Sequence, residues 1–165
     1  MIGLIVGRFQ PFHNGHLEMI REAAGKADSL VIAVGSSNKS GVMDNPFTYS
    51  ERGRMIRAAL GGDFDFMIIA VPDVDDDKKW AEYIRDNIEF DVAFTNAETE
   101  GRIFREAGFK VEGLDFYRRN ECMSTLIREK MISGEGWRDS VPDAACKILR
   151  EINAVERLRK IRDES

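Results

Sequence analysis

Short stretches dominated by apolar residues recur at 2–6, 30–34, 66–71, 91–94 and 110–114, most of them closed by Gly, Pro, Asn or Asp. Their apolar residues run on rather than alternate with polar ones, the pattern of strands buried on both faces. Helical spacing fills the intervals. Leu17, Ile20 and Ala24 share one face, and Met55, Ile56, Ala59 and Leu60 another. Trp80, Ile84 and Ile88 fall at i, i+4 and i+8, and Ile103, Phe104 and Ala107 precede Gly108, a helix stop. Strand and helix in repeated alternation predict an α/β fold, a Rossmann-like doubly wound parallel sheet. After Leu114 the strands cease. Helices are expected over 125–132 and 143–161, the second with Ile148, Leu149, Ile152, Val155 and Leu158 in one stripe, which makes a helical C-terminal cap. The expected organisation is one domain over 1–165, with a Rossmann-like core over 1–115 and a helical part over 116–165.

Composition narrows the class. A chain of 165 residues, 43% hydrophobic and 32% charged, is long enough to bury a core without disulfides. No window holds the ~18 uninterrupted apolar residues of a membrane span, and residues 1–6 are too short for a secretory leader. The expectation is a soluble, cytoplasmic protein with no membrane partner. Cys122 and Cys146 form no CxxC and have no histidine beside them, so they are expected to be reduced and structural. The net charge of −5 argues against nucleic-acid binding. Arginines at loop positions, namely Arg8, Arg52, Arg118, Arg119 and Arg128, still allow a local site for a small polyanion.

The chemistry concentrates at the first strand-to-helix turn. "GRFQPFHNGH", residues 7–16, holds both histidines of the chain, His13 and His16, together with Arg8. The first such turn of a parallel sheet is a phosphate cradle, because helix N-terminal amides point into it. Neither GxxxxGK[ST] nor GxGxxG is present there. In HxGH, Asn14 is expected to cap the helix, Gly15 to allow close backbone approach, and both imidazoles to donate to one anion. The run "DVDDDKKW" at 73–80 begins like an EF-hand loop. Lys78 and Ile84 stand where the glycine and the bidentate glutamate belong, so no dedicated metal site is expected.

"GRFQPFHNGH" resembles the (H/T)xGH signature of a nucleotidyltransferase superfamily, in the form found in archaeal-type nicotinamide mononucleotide (NMN) adenylyltransferases. "CMSTLIREKM", 122–131, is similar to that superfamily's second signature, ISSTxxR, with Cys122 and Met123 departing from it. "NPFTYSER", 45–52, resembles the family's NPFTxxER, and Thr48 with Glu51 is by itself a capping box. "VGSSNKS" matches its Gly-Ser turn, and "REINAVERL" its tail, so the likeness runs from Met1 to about Leu158.

The resemblance implies transfer of the adenylyl group of ATP to NMN, giving NAD and pyrophosphate, with Mg²⁺ on the phosphates. It implies His13, His16, Arg8 and Arg128 as catalytic residues. Gly7, Phe9, Gln10, Gly15, Ser36, Ser37, Arg52, Trp80, Asn96, Ser124 and Thr125 become candidate substrate contacts, with Arg52 toward phosphate and Trp80 toward the nicotinamide ring. "FTNAETEG", 94–101, departs from the family's Gly-Asn-Pro turn. Archaeal members are homo-oligomers, commonly hexamers, and a homo-oligomer is the corresponding expectation. Two alternatives stand beside this reading: a relative acting on another phosphate, such as a cytidylyltransferase or a pantetheine-phosphate adenylyltransferase, and a nucleotide-sensing domain without turnover.

Overall fold

The computed structural model describes residues 1–115 and 123–165; Arg118, Arg119 and Cys122 lie outside the described residues. Five parallel strands form one sheet in the order β3-β2-β1-β4-β5: β1 Ile2–Gly7, β2 Ser29–Val34, β3 Phe66–Ala70, β4 Val92–Phe94 and β5 Val111–Glu112. β1 pairs with β2 from Ile2↔Ser29 to Gly7↔Val34, and with β4 through Gly3↔Val92 and Leu4↔Ala93. The first three strands step outward to one side of β1 and β4 returns to the other. The order therefore reverses beside β1, where open α/β sheets bind ligands at the carboxyl ends of their strands.

The continuous apolar runs are explained by two cores, one on each face. Ile5, Leu30, Ile32 and Val34 point to a core completed by α1 Asn14–Lys26, α2 Tyr49–Leu60, α5 Met123–Ser133, α6 Asp143–Glu151 and α7 Ala154–Glu164. Leu4, Val31, Ala33 and Ala93 point the other way, to α3 Asp77–Asn87 and α4 Glu98–Glu106 through Ile84 and Phe104. Strands with both faces covered have no polar face to display, so their sequence cannot alternate.

Two expectations about elements need correction. The fifth strand spans two residues rather than the five of 110–114. The expected helix over 143–161 is two helices, because Asn153 adopts a left-handed conformation (φ 54°, ψ 48°) between α6 and α7. Asparagine is among the few non-glycine residues that visit this region at small cost. The apolar stripe survives the break, with Leu149 and Leu158 buried and Ile152 and Val155 packed against the same core.

Candidate active site

The turn after β1 is built around its two histidines. His13, not Asn14 as expected, caps α1: its Nδ1 accepts from the backbone N–H groups of Gly15 (3.1 Å) and His16 (3.3 Å). His16 Nδ1 in turn accepts from the backbone N–H of His13 (3.2 Å). The pair is a capping box made of imidazoles, where an acidic or amide side chain is usual at the third position. Asn14 instead donates through Nδ2 to the carbonyl of Asp139 (2.9 Å), tying the turn to the segment after α5.

This cap decides the state of both rings. With each Nδ1 engaged as an acceptor, a neutral imidazole carries its proton on Nε2. The rings stack with centroids 3.6 Å apart, and His16 also lies against Phe9 (4.8 Å) and Phe12 (5.6 Å). Burial pushes the His13 pKa down to about 4. It also lowers that of His16 well below the usual range, with the neighbouring His13 adding in the same direction. Both are therefore neutral Nε2–H donors near pH 7. His13 Nε2 is buried and has no hydrogen-bond partner, so the turn holds a desolvated donor without an acceptor.

Two arginines stand at the same edge of the sheet. Arg128 on α5 is 5% exposed; it donates to the Gln10 carbonyl (2.7 Å) and to Thr125 Oγ1 (3.3 Å). It pairs with Asp44, solvent-exposed, at 3.8 Å. Burial lowers the Arg128 pKa, against the pull of Asp44, and Arg8 adds repulsion. Arg8 is exposed, and its charge also bears on Arg52 and on Asp73, so it stands over the same carboxyl edge of the sheet. A buried guanidinium whose carboxylate partner is exposed and at the edge of ion-pair distance favours a further anionic ligand.

Other expected contacts turn inward. Arg52 is 0% exposed and grips four backbone carbonyls: Thr48 (3.2 Å), Arg8 (2.8 Å), Gly35 (2.7 Å) and Ser36 (3.1 Å). Four of its five N–H donors are committed to loops, and burial pushes its pKa down to about 10. Gln10 forms a two-point amide clamp on Phe47, accepting from its N–H (3.0 Å) and donating to its carbonyl (3.1 Å). Asn96 makes the corresponding clamp on Leu114 (2.9 and 2.8 Å). These three side chains shape the site from behind. Phe9 is buried in a left-handed conformation (φ 53°), and a Cβ on Gly7 would stand 2.7 Å from its ring, so glycine is required there.

The second and third strands contribute a polar corner. Ser36, also left-handed (φ 48°), donates through Oγ to Asp73 (2.8 Å), which pairs with Lys39 (2.8 Å). Ser37 donates its backbone N–H to Val71 O (3.1 Å). Ser124 Oγ lies 3.5 Å from Pro11 O, and Thr125 supports Arg128. Trp80 is half-buried in the first turns of α3 and packs on Phe104 at 5.5 Å, away from the histidines in the second core. Sequence reasoning missed Asp44 beside Arg128 and Arg157 beside Glu51. Neither pair had a signal in the sequence, since each joins residues more than 80 positions apart. Among the described residues no group of three or more His, Cys, Asp or Glu side chains could hold a metal ion, and no helix is long and apolar enough to cross a membrane.

Comparison with known proteins agrees with this geometry. Residues 4–130 match the cytidylyltransferase-like family model. A nicotinamide-nucleotide adenylyltransferase of Archaeoglobus fulgidus is 40% identical, covering 98% of this chain and 97% of its own length. Its counterpart from Picrophilus torridus is 37% identical with the same coverage. Among solved structures, a bifunctional NMN adenylyltransferase/ADP ribose pyrophosphatase of Francisella tularensis, complexed with AMP and a manganese ion, superposes with a TM-score of 0.80 at 22% identity. It covers 97% of this chain, which spans 51% of that longer protein, and establishes the shared fold.

Proposed function

Since the chain belongs to the cytidylyltransferase-like family, within which full-length archaeal nicotinamide-nucleotide adenylyltransferases are its relatives, we propose that it joins ATP and NMN to give NAD and pyrophosphate. The observation that carries the reading is the pair of backbone-locked imidazoles with a buried Nε2–H lacking an acceptor. An oxygen of a triphosphate supplies that acceptor.

The chemistry needs no nucleophilic side chain. A phosphate oxygen of NMN attacks the α-phosphorus of ATP, the bond from that phosphorus to the bridging oxygen of the β-phosphate breaks, and pyrophosphate leaves with the electron pair. The nucleophile is already an anion, so no general base is required. Orientation and stabilisation of developing charge are what the protein must supply. The Nε2–H groups of His13 and His16 donate to phosphate oxygens, and because they are neutral they strengthen as charge builds without taking up a proton. Arg128 and Arg8 hold the distal phosphates, with the positive end of the α1 dipole beneath them. Arg52, Gln10 and Asn96 act through the loops they clamp. A divalent cation, Mg²⁺ in this reading, enters with the triphosphate and offsets its charge; the described residues offer it no cage.

On the acceptor side, Ser36, Ser37 and Trp80 are the residues the resemblance assigns to nucleotide contacts, and an indole face suits a flat cationic ring. Pyrophosphate release from ATP, measured against NMN, nicotinate mononucleotide, phosphopantetheine and glycerol phosphate, tests the assignment. NMN turns over fastest if the reading holds. Preference for another phosphate reassigns the acceptor, and binding of ATP without turnover on any of them leaves a sensor. Light scattering tests the homo-oligomer that the resemblance implies.

A further inference from the structure

The tail segment "REINAVERL" has no part in the chemistry above, yet one of its residues reaches the site's framework. Arg157, on α7, pairs with Glu51 in a bidentate fork, Nη1 to Oε1 at 2.6 Å and Nη2 to Oε2 at 2.7 Å. The same Nη1 donates to the carbonyl of Pro46 (3.2 Å), and the guanidinium lies 5.7 Å from the centroid of the Phe47 ring. The pair is largely withdrawn from solvent, with side-chain exposures of 29% and 15%. A bidentate, partly desolvated fork fixes geometry in a way that a flexible surface pair does not.

What it fixes is the back of the phosphate-binding turn. Pro46 and Phe47 lead into Thr48 and Glu51, the capping box of α2. Phe47 is the residue that Gln10 clamps at both its N–H and its carbonyl, and the Gln10 carbonyl accepts from Arg128. One residue beyond Glu51, Arg52 holds the Arg8 carbonyl. The side-chain links are hydrogen bonds of 2.6 to 3.2 Å, and with the backbone steps between them they join α7 to both flanks of the histidine turn.

We propose that Arg157 is a positioning residue: its fork to Glu51 and Pro46 braces segment 45–52, and through Gln10 and Arg52 sets the placement of His13, His16 and Arg128 for phosphate transfer. This rests on the adenylyl-transfer reading for its kinetic consequence but not for its structural one.

The chain contains two histidines, so the imidazole region of a ¹H–¹³C spectrum of histidine-labelled protein reports on the turn alone. Arg157→Gln is expected to shift both imidazole signals and to lower kcat roughly tenfold at a temperature where the variant is fully folded, since small misplacements of reacting groups are costly. Arg157→Lys keeps the charge and one contact, and recovers part of both effects. Glu51→Gln keeps an oxygen for the Thr48 N–H and loses the fork; it reproduces the effect, and the double variant is no worse than either single one. A lower melting temperature with unmoved imidazole signals and unchanged kcat would make the pair a staple and overturn the proposal. If Arg157→Gln does not fold, Arg157→Lys and Glu51→Gln decide by the same readouts. If the wild type turns over no acceptor, the adenylyl-transfer reading fails while the imidazole signals still test the brace.

Discussion

At His13 a helix cap and a hydrogen-bond donor share one ring, with Nδ1 taking two amides of α1 and Nε2 left without a partner. Alanine removes both functions at once, so it cannot say which matters. Asparagine separates them, since it is among the best N-cap residues but too short to present a donor where Nε2 stands. His13→Asn should keep stability within about 1 kcal/mol of wild type, whereas His13→Ala loses roughly 1 kcal/mol more of cap energy. Both should lower kcat by about 10²–10³. Thermal melts and steady-state rates check this; near-full kcat in His13→Asn would remove the histidine from the chemistry. The clustering of HxGH was readable because its residues lie within four positions, but the cap was not: it falls to His13 rather than to the expected Asn14. The inward roles of Gln10, Arg52 and Asn96 were not, since their backbone partners on Phe47, Gly35 and Leu114 are 17 to 37 residues away and only the fold brings them close.

Among elements, the strands and most helices could be read from apolar spacing, because a sheet covered on both faces imposes its pattern on every strand. The division of the last helix could not. Its stripe continues across the break at 3.6-residue spacing, and nothing in periodicity distinguishes a continuous helix from two that pack on the same core. Only the Asn153 backbone does so. Asn153→Ala should therefore destabilise the protein by about 1–2 kcal/mol, the cost of a left-handed conformation for an ordinary residue, and Asn153→Gly should be neutral or slightly stabilising. Denaturant melts of the two variants distinguish this from a continuous helix, in which alanine would stabilise and glycine would cost about 1 kcal/mol. The break also aims α7 so that Arg157 meets Glu51, which links this element to the site.

For the whole molecule, the pH dependence of folding sets buried groups of opposite sign against one another. His13 and His16 have folded pKa values below the ordinary 6.5, so the unfolded chain takes up protons first, and their contribution to stability is lost as pH falls from 6.5 toward 4. For His13 alone the loss approaches about 3 kcal/mol. Glu100 works in reverse: burial pushes its carboxyl up to about 7, against a bond from Thr95 that lowers it. Its ionisation in the folded state costs stability as pH rises from 4.5 to 7, a cost that acidification relieves. The wild-type curve over this window is thus a difference, with two histidines outweighing one glutamate and a shallow loss of stability on acidification. Glu100→Gln removes the opposing contribution and should steepen that loss, while His13→Asn should flatten or invert it. Melting temperatures of the three proteins between pH 7 and 4.5 give the slopes; parallel curves would mean that neither ring nor carboxyl is desolvated as the structure has it.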